Sequence, residues 1–248
     1  VIGTVDPFAK VAGNGIKKLV ESGKNVTVGI LEDECNELNK RFFTFHQKQR
    51  PYIILKWAET ADGFISPISK EEKSPVWVTN PYSRQLVHKW RTEEQAILVG
   101  TNTVLDDNPK LDARDFSGNN PIRIVLDKSG KISEKYHVKD NSKKTIFITE
   151  SENFISTENC IYENAIFDIH LISSICEILY KNNIQSVIIE GGSKTLQSFI
   201  DANLWDEARV FKGDTTFQNG ILAPNISGNP VAGFDIMNDE LKIFKNYD

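Results

Sequence analysis

A carboxylate that ends an apolar run and is followed at once by two glycines is the strongest chemical signal in this chain. The stretch is Val187-Ile188-Ile189-Glu190-Gly191-Gly192-Ser193-Lys194-Thr195-Leu196. Glycine has no Cβ, so the backbone can turn sharply there and a ligand can approach it closely. A helix beginning near Ser193 would present first-turn N–H groups that have no partner inside the helix and carry partial positive charge. Such a turn suits an anion, above all a phosphate. Glu190 strengthens the reading, because a carboxylate closing an apolar strand is costly to bury without a partner.

Three other stretches could contribute. Lys56 interrupts the apolar run Ile53-Ile54-Leu55-Lys56-Trp57-Ala58, so its ammonium needs a carboxylate or a ligand anion; Thr60 and Asp62-Gly63 follow it. Gly100-Thr101-Asn102-Thr103 breaks a buried run into hydroxyl and amide side chains of the kind that fix ribose and phosphate. It continues through Val104-Leu105-Asp106-Asp107 to an Asn108-Pro109 turn. Asp127 closes a third run, and Arg91, near a helix end, either complements the helix dipole or grips an anion. Gly13-Asn14-Gly15 with Glu32 sketches a dinucleotide fingerprint, but Lys18 stands at its third glycine and the loop from Asp6 is too long for the motif's tight turn.

The elements that must hold these groups alternate along the chain. Strands are expected at Tyr52–Lys56, Val76–Thr79, Ala96–Val99, Ile122–Asp127, Thr145–Thr149, Val187–Glu190 and Ala208–Lys212. Helices are expected at Pro81–Arg91, Ile169–Asn182 and Lys194–Ala202, the first capped by Asn80 with Pro81 at its first position. Strands interleaved with helices imply an α/β fold with a mostly parallel sheet covered on both faces. Ligands then gather beyond the carboxyl ends of the strands, so the four strand ends are expected to share one cleft. Residues 150–164 read as a polar surface loop. Ahead of these lies a βαβα pattern: strands Ile2–Val5 and Val26–Ile30, helices Ile16–Ser22 and Glu32–Phe43. Gln47-Lys48-Gln49-Arg50-Pro51 reads as a boundary, giving units 1–46 and 51–248. The chain opens as a strand without an initiating Met, so partners for it are expected upstream.

Composition narrows the function classes. With 248 residues, 40% hydrophobic, 25% charged and a net charge of −5, the chain is ordinary globular protein whose scattered cations make nucleic acid an unsuitable partner. No apolar run approaches the roughly 18 residues that span a bilayer, and there is no signal-peptide pattern, so a cytoplasmic location is expected. Three dispersed cysteines and four dispersed histidines form no disulfide framework and no metal motif.

Taken together the motifs resemble the bacterial bifunctional riboflavin-biosynthesis deaminase/reductase family. Asp6-Pro7, Ala12-Gly13-Asn14-Gly15-Ile16, Leu19, Gly23, Val26 and Asn39-x-x-Phe42 resemble the end of the deaminase domain. The remainder resembles the reductase domain, in Arg50-Pro51-Tyr52, Leu55-Lys56-x-Ala58, Asp62-Gly63, Trp77-x-Thr79 and Val87-His88-x-x-Arg91. It continues in Ala96-Ile97-x-Val99-Gly100-x-x-Thr103-Val104-x-x-Asp107-Asn108-Pro109-x-Leu111-x-x-Arg114, Pro121-x-Arg123-x-Val125-x-Asp127, Glu190-Gly191-Gly192 and Leu204-x-Asp206-Glu207.

The resemblance implies a dihydrofolate-reductase-like fold and NADPH-dependent reduction of the ribosyl group of a phosphoribosylaminouracil. It places Arg91, Leu111, Arg114 and Glu190 on this phosphorylated pyrimidine, the arginines on its phosphate. It places Glu59, Trp77, Thr103, Asp107 and the run Gly192, Ser193, Lys194, Thr195, Leu196, Gln197 and Ser198 on NADPH. Lys56, Asp107 and Glu190 become the catalytic candidates, with Lys56, Asp107 or an ordered water as proton donor. A homodimer through the reductase region is also implied. The family's zinc-binding His-x-Glu and Pro-Cys-x-x-Cys segments do not occur in the chain, so neither deamination nor zinc is expected of it. Glu59, Thr60 and Pro75 stand where relatives usually carry Ala, Ser and Ser. A pterin or folate reductase, or a nucleotide-binding module without turnover, are the alternatives.

Overall fold

Runs such as Ile53-Ile54-Leu55 and Val187-Ile188-Ile189 can be satisfied only inside a sheet with both faces covered, and that is how the chain uses them. The structure, a computed structural model, describes residues 1–8, 11, 13–68 and 76–247; Pro75 and Ala12 lie outside them. Three helices come first, α1 (Asn14–Glu21), α2 (Glu32–Leu38) and α3 (Lys40–Lys48), followed by β1 (Tyr52–Glu59), β2 (Phe64–Pro67), α4 (Pro81–Glu93), β3 (Ala96–Gly100), α5 (Thr101–Asp107), β4 (Ile122–Leu126) and β5 (Thr145–Thr149). Then come β6 (Cys160–Asn164), α6 (Leu171–Lys181), β7 (Ser186–Gly191), α7 (Ser193–Asp201), β8 (Glu207–Lys212), β9 (Gly220–Leu222), β10 (Ala232–Ile236) and β11 (Asp239–Lys245).

The main sheet runs β10-β11-β8-β1-β7-β3-β4-β5-β6. From β8 to β6 every pairing is parallel, while β11 and β10 close one edge as an antiparallel hairpin. It is therefore a mixed, mostly parallel α/β sheet. Period-two alternation divides its strands: Ile53, Leu55 and Trp57 face a core shared with α6 and α7, whereas Ile54 and Ile188 pack with Val87 and Trp90 of α4. Burying a charge inside such a sheet demands full pairing, and Arg123 shows it. Its guanidinium is wholly buried and donates to Thr145 Oγ1, the His137 and Lys143 carbonyls, and Asp140 Oδ1.

The expected helices form, and Asn80 caps α4 by accepting from the Tyr82 and Ser83 amides at 3.0 and 3.1 Å. Several sequence expectations fail for identifiable reasons. Val76–Thr79 is not a strand; it crosses the end of β8 so closely that a Cβ on Gly213 would lie 2.2 Å from the Val78 carbonyl oxygen. The polar loop expected over 150–164 ends in edge strand β6, whose mixed side chains carry no apolar pattern. Thr101–Asp107, given no element from the sequence, forms α5, and the β10–β11 hairpin had no sequence signal strong enough to be read.

In the first 48 residues, Ile2–Val5 and Val26–Ile30 do not form strands and meet in one parallel bridge, Ile2 to Val28. Two short segments with no third strand beside them among the described residues gain too little to extend the pairing. The anticipated long helix is two, divided at Asn39. At the expected boundary, Arg50 is buried and holds Asp206 through two bonds of 2.5 and 2.8 Å.

Candidate active site

β1, β3 and β7 run parallel side by side, so Lys56, Gly100 and Glu190 arrive at the same edge of the sheet. A cavity of about 1110 Å³ opens there, walled by the start of α7 on one side and by α4 on the other. Lys56, Trp77, Arg91, Thr103, Asp107, Leu111, Arg114 and Glu190 line it, and so do Gly192 to Leu196 and Ser198.

One end of the cavity is built by the glycine turn. Gly191 has φ 133°, a conformation that side chains resist, and Gly192 serves as N-cap of α7 with no side chain bonding the first-turn amides. Close approach is also needed at Gly100, where a Cβ would sit 2.9 Å from Thr195 Oγ1. The first turn of α7 therefore faces the cavity with its donors uncapped by any side chain, opposite Thr103 on α5.

The other end is ionic. Arg91 Nε and Nη2 hold both oxygens of Glu190, at 2.9 and 2.6 Å, and Nη1 donates to the Asp112 carbonyl at 2.9 Å. Burial alone would raise the Glu190 carboxyl, but Arg91 and then Lys56 outweigh it and hold its pKa down to about 2. Glu190 is thus a carboxylate in the free site. The Lys56 ammonium makes no ion pair with it and has no hydrogen bond among the described residues. Burial lowers the Lys56 pKa; Glu190 opposes that and Arg91 adds to it. Lys56 is therefore a donor at this end that no acceptor holds among the described residues.

Arg114 is more open, its side chain 43% exposed, and binds Asp112 Oδ1 at 2.9 Å. Leu111, buried beside it, adopts φ 52°, an uncommon backbone for a branched residue and one held in place by the surrounding structure. The geometry divides the two arginines: Arg91 spends its guanidinium on Glu190 and a carbonyl, whereas Arg114 stands outside that pair on Asp112.

Some expected residues stand apart. Glu59 accepts from Trp57 Nε1 at 2.9 Å and does not border the cavity. Gln197 turns away to Asp201 and the 225 backbone. Asp127 caps its own turn by accepting from the Lys131 and Ile132 amides, so the third strand end contributes its neighbours Leu126 and Lys128 instead. Thr60 and Asp62 bond each other, and Asp62 also accepts from the Phe217 and Gln218 amides. In each case a neighbour two to five positions away supplies an acceptor or donor.

Among the lining residues given no role from the sequence are Arg84 and His88. Both lie on α4 with Arg91, at helical spacings of three and four, and that periodicity was the available signal. Arg84 stacks over the Trp77 ring at 4.7 Å and donates to the Thr79 carbonyl, steadying the irregular segment that borders the cavity. Among the described residues no cluster of three metal-ligating side chains occurs, and no helix is long and apolar enough to cross a membrane.

The family model described as the RibD C-terminal domain matches residues 51–215. The chain is 33% identical to the riboflavin biosynthesis protein RibD of Aquifex aeolicus over 99% of its own length and 67% of that relative. With RibD of Actinobacillus pleuropneumoniae the identity is also 33%, over 85% of this chain and 57% of the relative, so the chain spans roughly two thirds or less of the proteins it matches. A crystal structure of a diaminohydroxyphosphoribosylaminopyrimidine deaminase/5-amino-6-(5-phosphoribosylamino)uracil reductase from Thermotoga maritima is similar at a TM-score of 0.85 and 33% identity, covering 99% of this chain and 70% of that one.

Proposed function

The chain belongs to the RibD C-terminal domain family, and from this we propose that it reduces the ribosyl group of 5-amino-6-(5-phosphoribosylamino)uracil to the ribityl chain with NADPH, in riboflavin biosynthesis. The observation that carries the reading is the single cavity with two unlike ends, a bare helix start beside Gly191-Gly192 and an ionic group of Lys56, Arg91, Glu190 and Arg114. A cofactor pyrophosphate suits the first and a sugar phosphate the second.

In this reading Thr103, Asp107, Trp77 and the turn from Gly192 to Ser198, Gln197 apart, hold NADPH. Their fit rests on the start of α7, which the Gly192 N-cap leaves without a side-chain cap, and on the close approach at Gly100, where an added Cβ would lie 2.9 Å from Thr195 Oγ1. NADPH, when bound, supplies the hydride. The protein's share is alignment and charge. Arg114 takes the substrate phosphate, and Glu190, fixed by Arg91, accepts from sugar hydroxyls. Lys56, whose pKa is lowered, is the group best placed to deliver a proton to the reduced sugar's oxygen or nitrogen.

The residue range 51–248 is the catalytic unit in this reading, and cytoplasmic location and a homodimer go with it. Exposed Phe234 and Met237 at the β10 edge support the dimer, which sedimentation would test. The activity is tested by mixing the protein with NADPH and the phosphoribosylaminouracil and following absorbance at 340 nm. Steady NADPH loss with ribityl product is the expected result; tight binding of both without oxidation would overturn it.

A further inference from the structure

Asp112 does not border the cavity, yet both arginines of the ionic end are anchored to it through the same nitrogen. Arg91 Nη1 donates to its carbonyl and Arg114 Nη1 to its Oδ1, each at 2.9 Å. The remaining edge of the Arg91 guanidinium, Nε with Nη2, grips both oxygens of Glu190. The same edge of Arg114 makes no hydrogen bond among the described residues; Asp115 Oδ2 stands 4.0 Å from its Nε, outside hydrogen-bonding reach. One guanidinium fork is thus filled by a carboxylate, while its counterpart belongs to a cavity-lining residue and is unfilled. Two N–H groups on one planar edge match two oxygens of a phosphate as well as two of a carboxylate.

A residue can aim another only if it is itself held. Asp112 is 8% exposed, its carbonyl takes the Arg91 bond, the next amide, that of Ala113, donates to Asn120 Oδ1 at 3.0 Å, and Leu111 before it is fixed at φ 52°. Burial would raise its carboxyl, but Arg114, then Lys143 at 4.0 Å and Arg91, outweigh that and hold it below the usual carboxylate range. It is a fixed, ionised acceptor. Building on the phosphoribosyl reading, we infer that Asp112 is the positioning residue of the phosphate site, holding Arg114 by Nη1 so that the Nε/Nη2 edge is left for the substrate phosphate. Without that anchor the Arg114 side chain, 43% exposed, spreads over the rotamers of a long chain, and binding has to freeze them. The same carboxylate also repels a phosphate dianion, so its two effects on affinity have opposite signs.

Two variants separate these effects. Asp112→Asn and Asp112→Ala lose the same charge and keep the backbone carbonyl for Arg91, but only Asn retains a side-chain oxygen to which Arg114 Nη1 can donate. Calorimetry with the phosphoribosylaminouracil should give a Kd about tenfold weaker for Ala than for Asn, the scale of ordering a long side chain. Asn itself should bind at least as tightly as the wild type, because the repulsion is gone. On the dephosphorylated substrate the two variants should bind alike, and in an Arg114→Met background the gap between them should close. Turnover at saturating substrate should agree within about twofold, since the effect lies in binding. Equal Kd values for Ala and Asn overturn the inference, as does a gap that persists without the phosphate, persists without Arg114, or extends to NADPH affinity. Calorimetry needs no turnover, so a protein that shows the gap yet leaves NADPH unoxidised counts against the reductase reading alone.

Discussion

Replacing Arg91 by Met removes the cation that makes Glu190 tolerable while keeping the volume of the side chain's stem. Three charge-assisted bonds disappear, two to Glu190 and one to the Asp112 carbonyl, and both side chains of the pair are nearly buried, at 12% and 9% exposure. Removing one partner of a buried pair costs about 3 to 5 kcal/mol, mostly for the charge left behind. Glu190 has an escape, which is to bind a proton. Its carboxyl, held at about 2 in the wild type, should then rise above its ordinary value, since burial is the largest influence on it and Arg91 the main one opposing that. Between that raised pKa and about 4.5, the folded variant holds a proton that the unfolded chain lacks. Its stability therefore increases by about 1.4 kcal/mol for each unit the pH falls, while the wild type gains nothing from Glu190 over that range. Urea unfolding at pH 7.5, 6.5 and 5.5 measures this directly. The expected result is a deficit of several kcal/mol at pH 7.5 that shrinks toward pH 5.5, and loses its pH slope when Glu190→Gln is added. A deficit under 1 kcal/mol, or one that does not change with pH, would refute the argument.

Other outcomes follow from the same geometry. In the wild type, Glu190 and Glu207 both have carboxyls held down to about 2, so their stabilisation is complete above pH 4.5 and should drain away as the pH falls from there toward 2; acid titration by circular dichroism checks it. Lys56→Met should cut kcat by about 100-fold or more with little change in NADPH affinity, if Lys56 delivers the proton; an unchanged kcat removes it from that role. Gly191→Ala forces a side chain into φ 133° and should cost about 1 to 3 kcal/mol while raising KM for NADPH, because the start of α7 moves with it. Arg50→Ala breaks the buried pair with Asp206 far from the cavity, so thermal unfolding should show a loss of about 3 to 5 kcal/mol with kcat nearly intact.

Much of this molecule could be read in its sequence because its signals are local. Val187–Leu196 announced a strand, a turn without Cβ atoms and a helix start, and all three are where the spacing put them. Asn80-Pro81 marked the start of α4 for the same kind of reason, since a cap is satisfied within its own turn. The seven parallel strands were legible where apolar runs were long and covered on both faces; edge strand β6 and the terminal hairpin, half exposed and mixed in composition, were not. At the N-terminus two strand-like runs met in a single bridge, because a strand forms only where neighbours complete its hydrogen bonds, and a run's own composition does not say which neighbours it has.

What tertiary structure alone decided is who partners whom. Arg91 and Glu190 are 99 positions apart, and only the parallel packing of β7 beside β3, with α4 across its face, turns a predicted phosphate ligand into the holder of a carboxylate. The same packing frees Lys56 from Glu190, turns Glu59 toward Trp57, and sets Asp115 behind His88. Sequence supplies the charges and the turns that can bear them. Which charge meets which is settled by distance and burial, because the cost of an unpaired ion appears only when water has been removed from around it.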